Sequence, residues 1–288
     1  MGSKPSTRKD GGSCGPLSRN RPSRFGLRAK RSWTCSTWPE DFFPVWVSLK
    51  RRCGIESFAM PLSLLKKRGR RTFCLKEQRP MSDPQQILAQ LMELSRRLGE
   101  PARDLVILGE GNTSAKVDEK TFFVKASGKE LAEADGESFV RVSFSTVLEA
   151  LRKEELTDEE VKRVLQEARV DPHGKLMPSL ETFLHAYLLS FPDLWFVGHT
   201  HPAAVNAVLC SLGSREAFQG SLFPDEIVYC GPRVCYVEYT DPGLSLAHRL
   251  RRRVEEFVRE EGRPPRVILM ENHGLIACGR TVREVEAS

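Results

Sequence analysis

Two apolar runs, each ending on histidine, set the tightest limit on how this chain can fold. The first is Trp195-Phe196-Val197-Gly198-His199-Thr200-His201-Pro202, and the second is Val267-Ile268-Leu269-Met270-Glu271-Asn272-His273-Gly274. Both runs read as buried strands. Side chains alternate along a strand, so His199 and His201 project from one face while Thr200 points to the other. Pro202 stops the strand and suits the first turn of the apolar helix that follows. Two imidazoles on one face of a strand end form a metal-ligand geometry, and His273 ends the second run in the same way. Three histidines plus water is a common catalytic zinc set, because it leaves one coordination position open. The competing reading is that these are packed or hydrogen-bonded core histidines. The chain has only six histidines, and three of them at strand ends favour the metal.

Charge divides the chain in two. Residues 1–80 carry 19 Lys or Arg and 5 Asp or Glu, whereas residues 81–288 carry 25 and 33, so the body is mildly acidic. Nothing in that body suggests a nucleic-acid surface. Residues 1–80 are rich in Arg, Ser, Gly and Pro and lack sustained periodicity, so they read as a basic, disordered extension ahead of a domain spanning 81–288. The start also fits the loose N-myristoylation pattern and resembles a transit peptide, and Met81 stands just before the first well-formed helix. The eight cysteines include no Cys-x-x-Cys pair, which argues against a zinc ribbon or disulfide scaffold and for a reducing, cytoplasmic setting. No apolar run is long enough to span a bilayer.

Within the body, Asp83 and Pro84 open a helix that Gly99 ends. Residues 105–108 read as a short strand leading into Gly109-Glu110-Gly111-Asn112-Thr113-Ser114, and residues 122–125 return as its hairpin partner. The loops around Asn112 and Ala126-Ser127-Gly128-Lys129 share glycines, small hydroxyls and lysine, a composition that offers donors to an anion but also occurs in ordinary turns. Thr157 and Glu160 form a capping box. Pro178-Ser179-Leu180-Glu181 opens an apolar helix with Glu181 in its first turn, where the helix dipole favours a carboxylate. An unpaired carboxylate on so apolar a helix marks Glu181 as a candidate functional group. His185, one turn on, reads as packed or hydrogen-bonded inside, and His248 as surface. Residues 226–230 and 234–239 read as strands.

Taken in order, Gly-Asn-Thr-Ser at 111–114, Ser-Gly at 127–128, Pro-Ser-Leu-Glu at 178–181, His-Thr-His-Pro at 199–202 and Asn-His-Gly at 272–274 resemble the class II aldolase/adducin family. The resemblance implies an α/β fold, a three-layer α/β/α sandwich with a mostly antiparallel central sheet. It implies Zn2+ or another divalent metal held by His199, His201 and His273, with Glu181 as catalytic acid/base. It matches Asn112, Ser127, Gly128 and Ser179 to positions that hold a substrate phosphate. Family enzymes of this kind act on ketose phosphates or related hydroxy-carbonyl compounds and are often tetramers, so a homo-oligomer is expected. Leu180 stands where such phosphate sites often carry a second hydroxyl. Family members usually continue through further helices after the last histidine, so the domain is expected to be truncated at its C-terminal end.

The activity expected on this basis is a metal-dependent retro-aldol cleavage, with Glu181 needing a raised pKa to move a proton near neutrality. The same site could instead run epimerisation or dehydration. A non-catalytic, adducin-like interaction domain is the alternative from another class. That alternative predicts loss of the ligand histidines, and all three are present.

Overall fold

A computed structural model describes residues 83–288. The reading of residues 1–80 as a disordered extension lies outside these described residues. The first helix, α1 (Pro84–Leu98), starts as the sequence dictates: the Asp83 carboxylate accepts from the Gln85 amide at 3.0 Å, and Pro84 occupies the first turn. Its buried stripe is Ile87, Leu91, Leu94 and Leu98. Strands β1 (Asn112–Lys116) and β2 (Thr121–Lys125) form the expected hairpin, followed by β3 (Phe139–Ser143) and α2 (Phe144–Ala150). Helix α3 (Asp158–Glu167) carries the capping box, with Thr157 and Glu160 bonded reciprocally. Then come α4 (Thr182–Leu189), β4 (Phe196–Thr200), α5 (Ala203–Leu209), the short α6 (Ser214–Ala217) and α7 (Pro224–Cys230). The chain continues through β5 (Cys235–Val237), α8 (Leu244–Glu261), β6 (Val267–Met270), β7 (Gly274–Gly279) and α9 (Val282–Ala287).

The strands make one seven-stranded sheet in the order β3-β2-β1-β4-β7-β6-β5. Every pairing is antiparallel except that of β5 with β6. Helices cover both faces, giving the three-layer α/β/α sandwich. On one face Phe122, Val124, Val142, Val197, Ile268 and Ile276 pack against α2, α3, α4 and α8. On the other, Ala115, Phe196 and Ala277 pack against α1 and α9. The alternation of β4 places Val197 and His199 toward α4 and Gly198 toward α1 and α9. A Cβ on Gly198 would lie 2.8 Å from Leu98 Cδ1 and 3.0 Å from Val285 Cγ1, so glycine is what lets those helices sit close to the strand.

Four expectations are corrected. Residues 105–108 are not a strand: Leu108 is 94 % exposed with φ 52°, and Gly109 and Gly111 also take positive φ, so the chain turns before pairing starts at Asn112. Residues 226–230 are helical, in α7. Pro224 in its first turn and Asp225 and Glu226 beside the positive end of the dipole outweigh the β-branched content. Within 234–239, only Cys235–Val237 is strand. His248 is half-buried rather than surface, with its Nε2 enclosed.

Gly198→Val is expected to lower the unfolding free energy by about 1–3 kcal/mol, as for other overpacked core positions. A denaturant melt measures this, and an unchanged midpoint would contradict the packing described.

Candidate metal centre

Sheet register assembles the site. In β4, His199 lies level with Asn112 of β1 on one side and Ile276 of β7 on the other. His201 follows two residues later, past the strand end. His273 occupies the turn between β6 and β7, where Asn272 takes φ 53° and the His273 amide donates to Met270 O at 3.1 Å. From α5, Asn206 Nδ2 donates to His273 O at 2.9 Å and ties the turn down. Gly274 makes the crowding possible: a Cβ there would meet Thr200 O at 2.5 Å and His201 Cδ2 at 2.6 Å.

The three imidazoles meet nearly edge to face, with ring centroids 4.7, 5.0 and 5.2 Å apart. One nitrogen from each lies within 4.8 Å of the others, close enough for all three to hold one metal ion. Tetrahedral zinc with nitrogen ligands needs separations of about 3.3 Å, so small side-chain adjustments suffice. The donor chemistry also fits. His199 Nδ1 lies 3.1 Å from Leu275 O, and a carbonyl can only accept, so Nδ1 carries the proton. Nε2 of a neutral His199 therefore offers a lone pair. It faces His201 Nε2 at 2.9 Å and Glu181 Oε1 at 3.4 Å. Lone pairs gathered this closely suit a cation between them.

Glu181 immediately precedes α4, and its side chain is 16 % exposed. Its Oε1 lies 3.3 Å from His273 Nε2 as well as near His199. Burial pushes the His199 imidazole down to about 3 and that of His185 down to about 4, against an opposing pull from Glu181. Burial also lowers His201. Burial alone would raise the Glu181 carboxyl, but His199, His273 and His185 outweigh it and hold the group below the usual carboxylate range. At neutral pH the Glu181 carboxylate faces a neutral His199. These surroundings lower the Glu181 pKa while the imidazoles carry protons, and burial alone works toward the raised value that proton transfer needs.

His185 is fully buried, and its Nδ1 pairs with the Ser114 hydroxyl at 2.7 Å, as an interior histidine should. The expected anion-binding residues lie at the same end of the sheet. Continuing the β1–β2 register sets Asn112 level with Ala126. Ala126 bridges to Pro178, and the Ser127 amide donates to Met177 O at 2.9 Å, which lays the 126–129 loop against the segment leading to Ser179 and Glu181. Ser127 and Gly128 are exposed, while Ser179 Oγ accepts from the Glu181 amide at 3.3 Å. Among the described residues, no hydrogen bond joins Ser127, Gly128 or Ser179 to the imidazoles. Asn206 was not foreseen. Its signal is a lone amide in the apolar run 203–209.

Gly274→Ala should displace the adjoining imidazole and weaken metal binding by about 10- to 100-fold, measured by competition with a chelating dye. Full affinity in that variant would contradict the packing. Acid should also destabilise the metal-free protein. The folded values of His199 and His185 lie below the ordinary 6.5, so the unfolded chain takes up these protons first. The denaturation midpoint should hold above about pH 6.5 and fall as pH drops toward about 3, whereas a flat profile would show these imidazoles are not buried neutral.

A model of the family described as Class II Aldolase and Adducin N-terminal domain matches residues 89–287. No curated protein matches the chain. Among solved structures, the N-terminal class II aldolase domain of a conserved protein from Thermoplasma acidophilum is similar at 26% identity and a TM-score of 0.53, covering 79% of this chain and 92% of that one. A sugar-phosphate aldolase from Thermotoga maritima shares the fold at 16% identity and a TM-score of 0.52, covering 70% of this chain and 88% of that one. The sheet order, the helices on both faces and the match over residues 89–287 lead to one conclusion: this chain belongs to the class II aldolase and adducin N-terminal domain family.

Proposed function

We propose that this protein is a divalent-metal-dependent lyase that cleaves a ketose phosphate or a related hydroxy-carbonyl compound by a retro-aldol reaction. One observation carries the reading: three imidazoles from distant parts of the chain converge within 4.8 Å beside a helix-borne carboxylate. A domain serving only as an interaction surface has no use for so costly an arrangement of buried polar groups.

In this reading His199, His201 and His273 hold zinc or another divalent ion. When bound, such an ion supplies Lewis acidity to the carbonyl oxygen of the substrate. Glu181 moves the proton at the reacting carbon through its Oε1, the oxygen that faces the ligand set. Leu275 O orients the His199 imidazole, and Asn206 fixes the backbone that carries His273. Asn112, Ser127, Gly128 and Ser179 bind the phosphate or other anionic end.

A cytoplasmic setting and assembly into a homo-oligomer complete the proposal. Cys210, Cys230, Cys235 and Cys278 are free thiols, which supports a reducing compartment. The apolar side chains of Leu212, Leu222 and Phe223 are exposed, which supports self-association. Among the described residues, no helix is long and apolar enough to cross a membrane.

His199→Ala should empty the site of metal, while Glu181→Gln should keep metal and lose about 100-fold or more in turnover. Elemental analysis and a product-resolving screen of sugar phosphates read both effects. Full metal occupancy in the histidine variant overturns the ligand assignment. Epimerised or dehydrated products would replace the lyase reading with another reaction at the same site.

A further inference from the structure

Residues 169–181, which lead from α3 to α4, form no helix or strand, and isolated bridges tie them to the sheet, Val142 to Arg169 at one end and Ala126 to Pro178 at the other. So long a connection without regular structure is uncommon in a compact domain, and its backbone groups need partners from elsewhere. Arg169 supplies them. Its Nε donates to Gln166 O at 3.2 Å, its Nη2 to Pro172 O at 3.2 Å, and its Nη1 to Leu176 O at 3.3 Å and, more closely, to Gly174 O. Among the described residues, the carbonyls of 172, 174 and 176 have no other hydrogen-bond partner, and no carboxylate lies within ion-pair distance of the guanidinium. The nearest acid in sequence, Asp171, accepts instead from the His173 amide at 2.9 Å. A planar fork of donors can reach carbonyls in several directions at once, which a single ammonium cannot do.

The clamp stands between two fixed points. Upstream, Ala168 O accepts from the Ser143 amide at 2.8 Å and the Val170 amide donates to Arg141 O at 2.9 Å, which pins Arg169 beside β3, the edge strand. Downstream, Met177 O accepts from the Ser127 amide at 2.9 Å, and the chain enters Pro178-Ser179-Leu180-Glu181. Helix α4 has no side-chain cap at Glu181. Its first turn is held by Ser179 O, which accepts from the Thr182 amide at 3.0 Å and the Thr182 hydroxyl at 2.6 Å. Where α4 starts therefore depends on how the loop arrives. So does the stand of Glu181 Oε1, 3.4 Å from His199 Nε2 and 3.3 Å from His273 Nε2.

We propose that Arg169 is a positioning residue for the reaction: by gathering the carbonyls of Gln166, Pro172, Gly174 and Leu176 onto one guanidinium it fixes the path into α4, and so holds Glu181 at the reach from the histidines at which it moves its proton. Among the described residues, no hydrogen bond or ion pair joins Arg169 to Glu181 or to the imidazoles, so it acts through the backbone. This rests on the reading of Glu181 as the group that moves the proton. Proton transfer is steep in distance, so a small displacement of the loop suffices to slow it.

The probe is dihydroxyacetone phosphate, the fragment that carbon–carbon cleavage of a ketose 1-phosphate releases. Exchange of its carbon-bound hydrogen for solvent deuterium, followed by proton NMR on the full, metal-loaded chain, reads the proton transfer assigned to Glu181. Arg169→Met should lower kcat for exchange by about 30- to 100-fold, the size of a misplacement of about 1 Å, with KM within about threefold of the parent and metal content unchanged. Arg169→Lys should fall as far, because a point charge cannot span the carbonyls, and it is read alone should Arg169→Met fail to fold. In a Glu181→Gln background, Arg169→Met should cost less than about threefold more, since a positioning residue has nothing left to position. A variant that loses melting temperature yet keeps kcat overturns the positioning role and leaves the lyase reading standing, as do losses that multiply in the double variant. A parent chain that exchanges no deuterium overturns the ketose-phosphate reading, and the role of Arg169 with it.

Discussion

The structure depends on holding four polar side chains where none can be well hydrated. His199, His201, His273 and Glu181 converge at one end of a single sheet, with nitrogens and a carboxylate oxygen 2.9 to 3.4 Å apart. Burying such groups costs free energy, and bringing lone pairs face to face costs more. The surrounding fold must therefore over-determine their positions. It does so through backbone: β4 is hydrogen-bonded on both sides, and the turn after β6 is fastened by Asn206.

Close approach of main chain is the second requirement. Gly111 takes φ 130°, and a Cβ there would lie 2.8 Å from His199 O. Gly274 sits against Thr200 O and two of the imidazoles. Gly274 does on the histidine face of β4 what Gly198 does on the other, allowing neighbours to pack where any side chain would intrude, and Gly111 lets the chain entering β1 draw close to the edge of β4. The strand that carries the histidines is thus pressed from both faces, which limits how far the imidazoles can drift. The same layer extends to Ser114 and His185, whose Nε2 is buried with no hydrogen-bond partner among the described residues.

Much of this was legible in the sequence, for identifiable reasons. Alternation along a strand puts His199 and His201 on one face, and the chain shows them together with His273. Asp83, Pro84, Thr157 and Glu160 announce helix starts through local hydrogen bonding, which needs no tertiary information. Where local signals conflicted, pattern reading failed. Residues 226–230 have strand-like composition, yet Pro224 and two acids make a helix start, and local capping won. Residues 105–108 are apolar enough for a strand, but the glycines beyond them bend the chain first. The lowering of the Glu181 pKa was beyond sequence, because two of the imidazoles that cause it, His199 and His273, come from elsewhere in the chain.

The convergence of the three imidazoles on one cation is the claim on which the rest stands, and the metal content of the purified full chain tests it most directly. Elemental analysis after incubation with zinc and removal of free ion should find about one ion per chain, tightly retained on dialysis. A chain that emerges free of metal, while folded and with all three histidines intact, would contradict the account at its root.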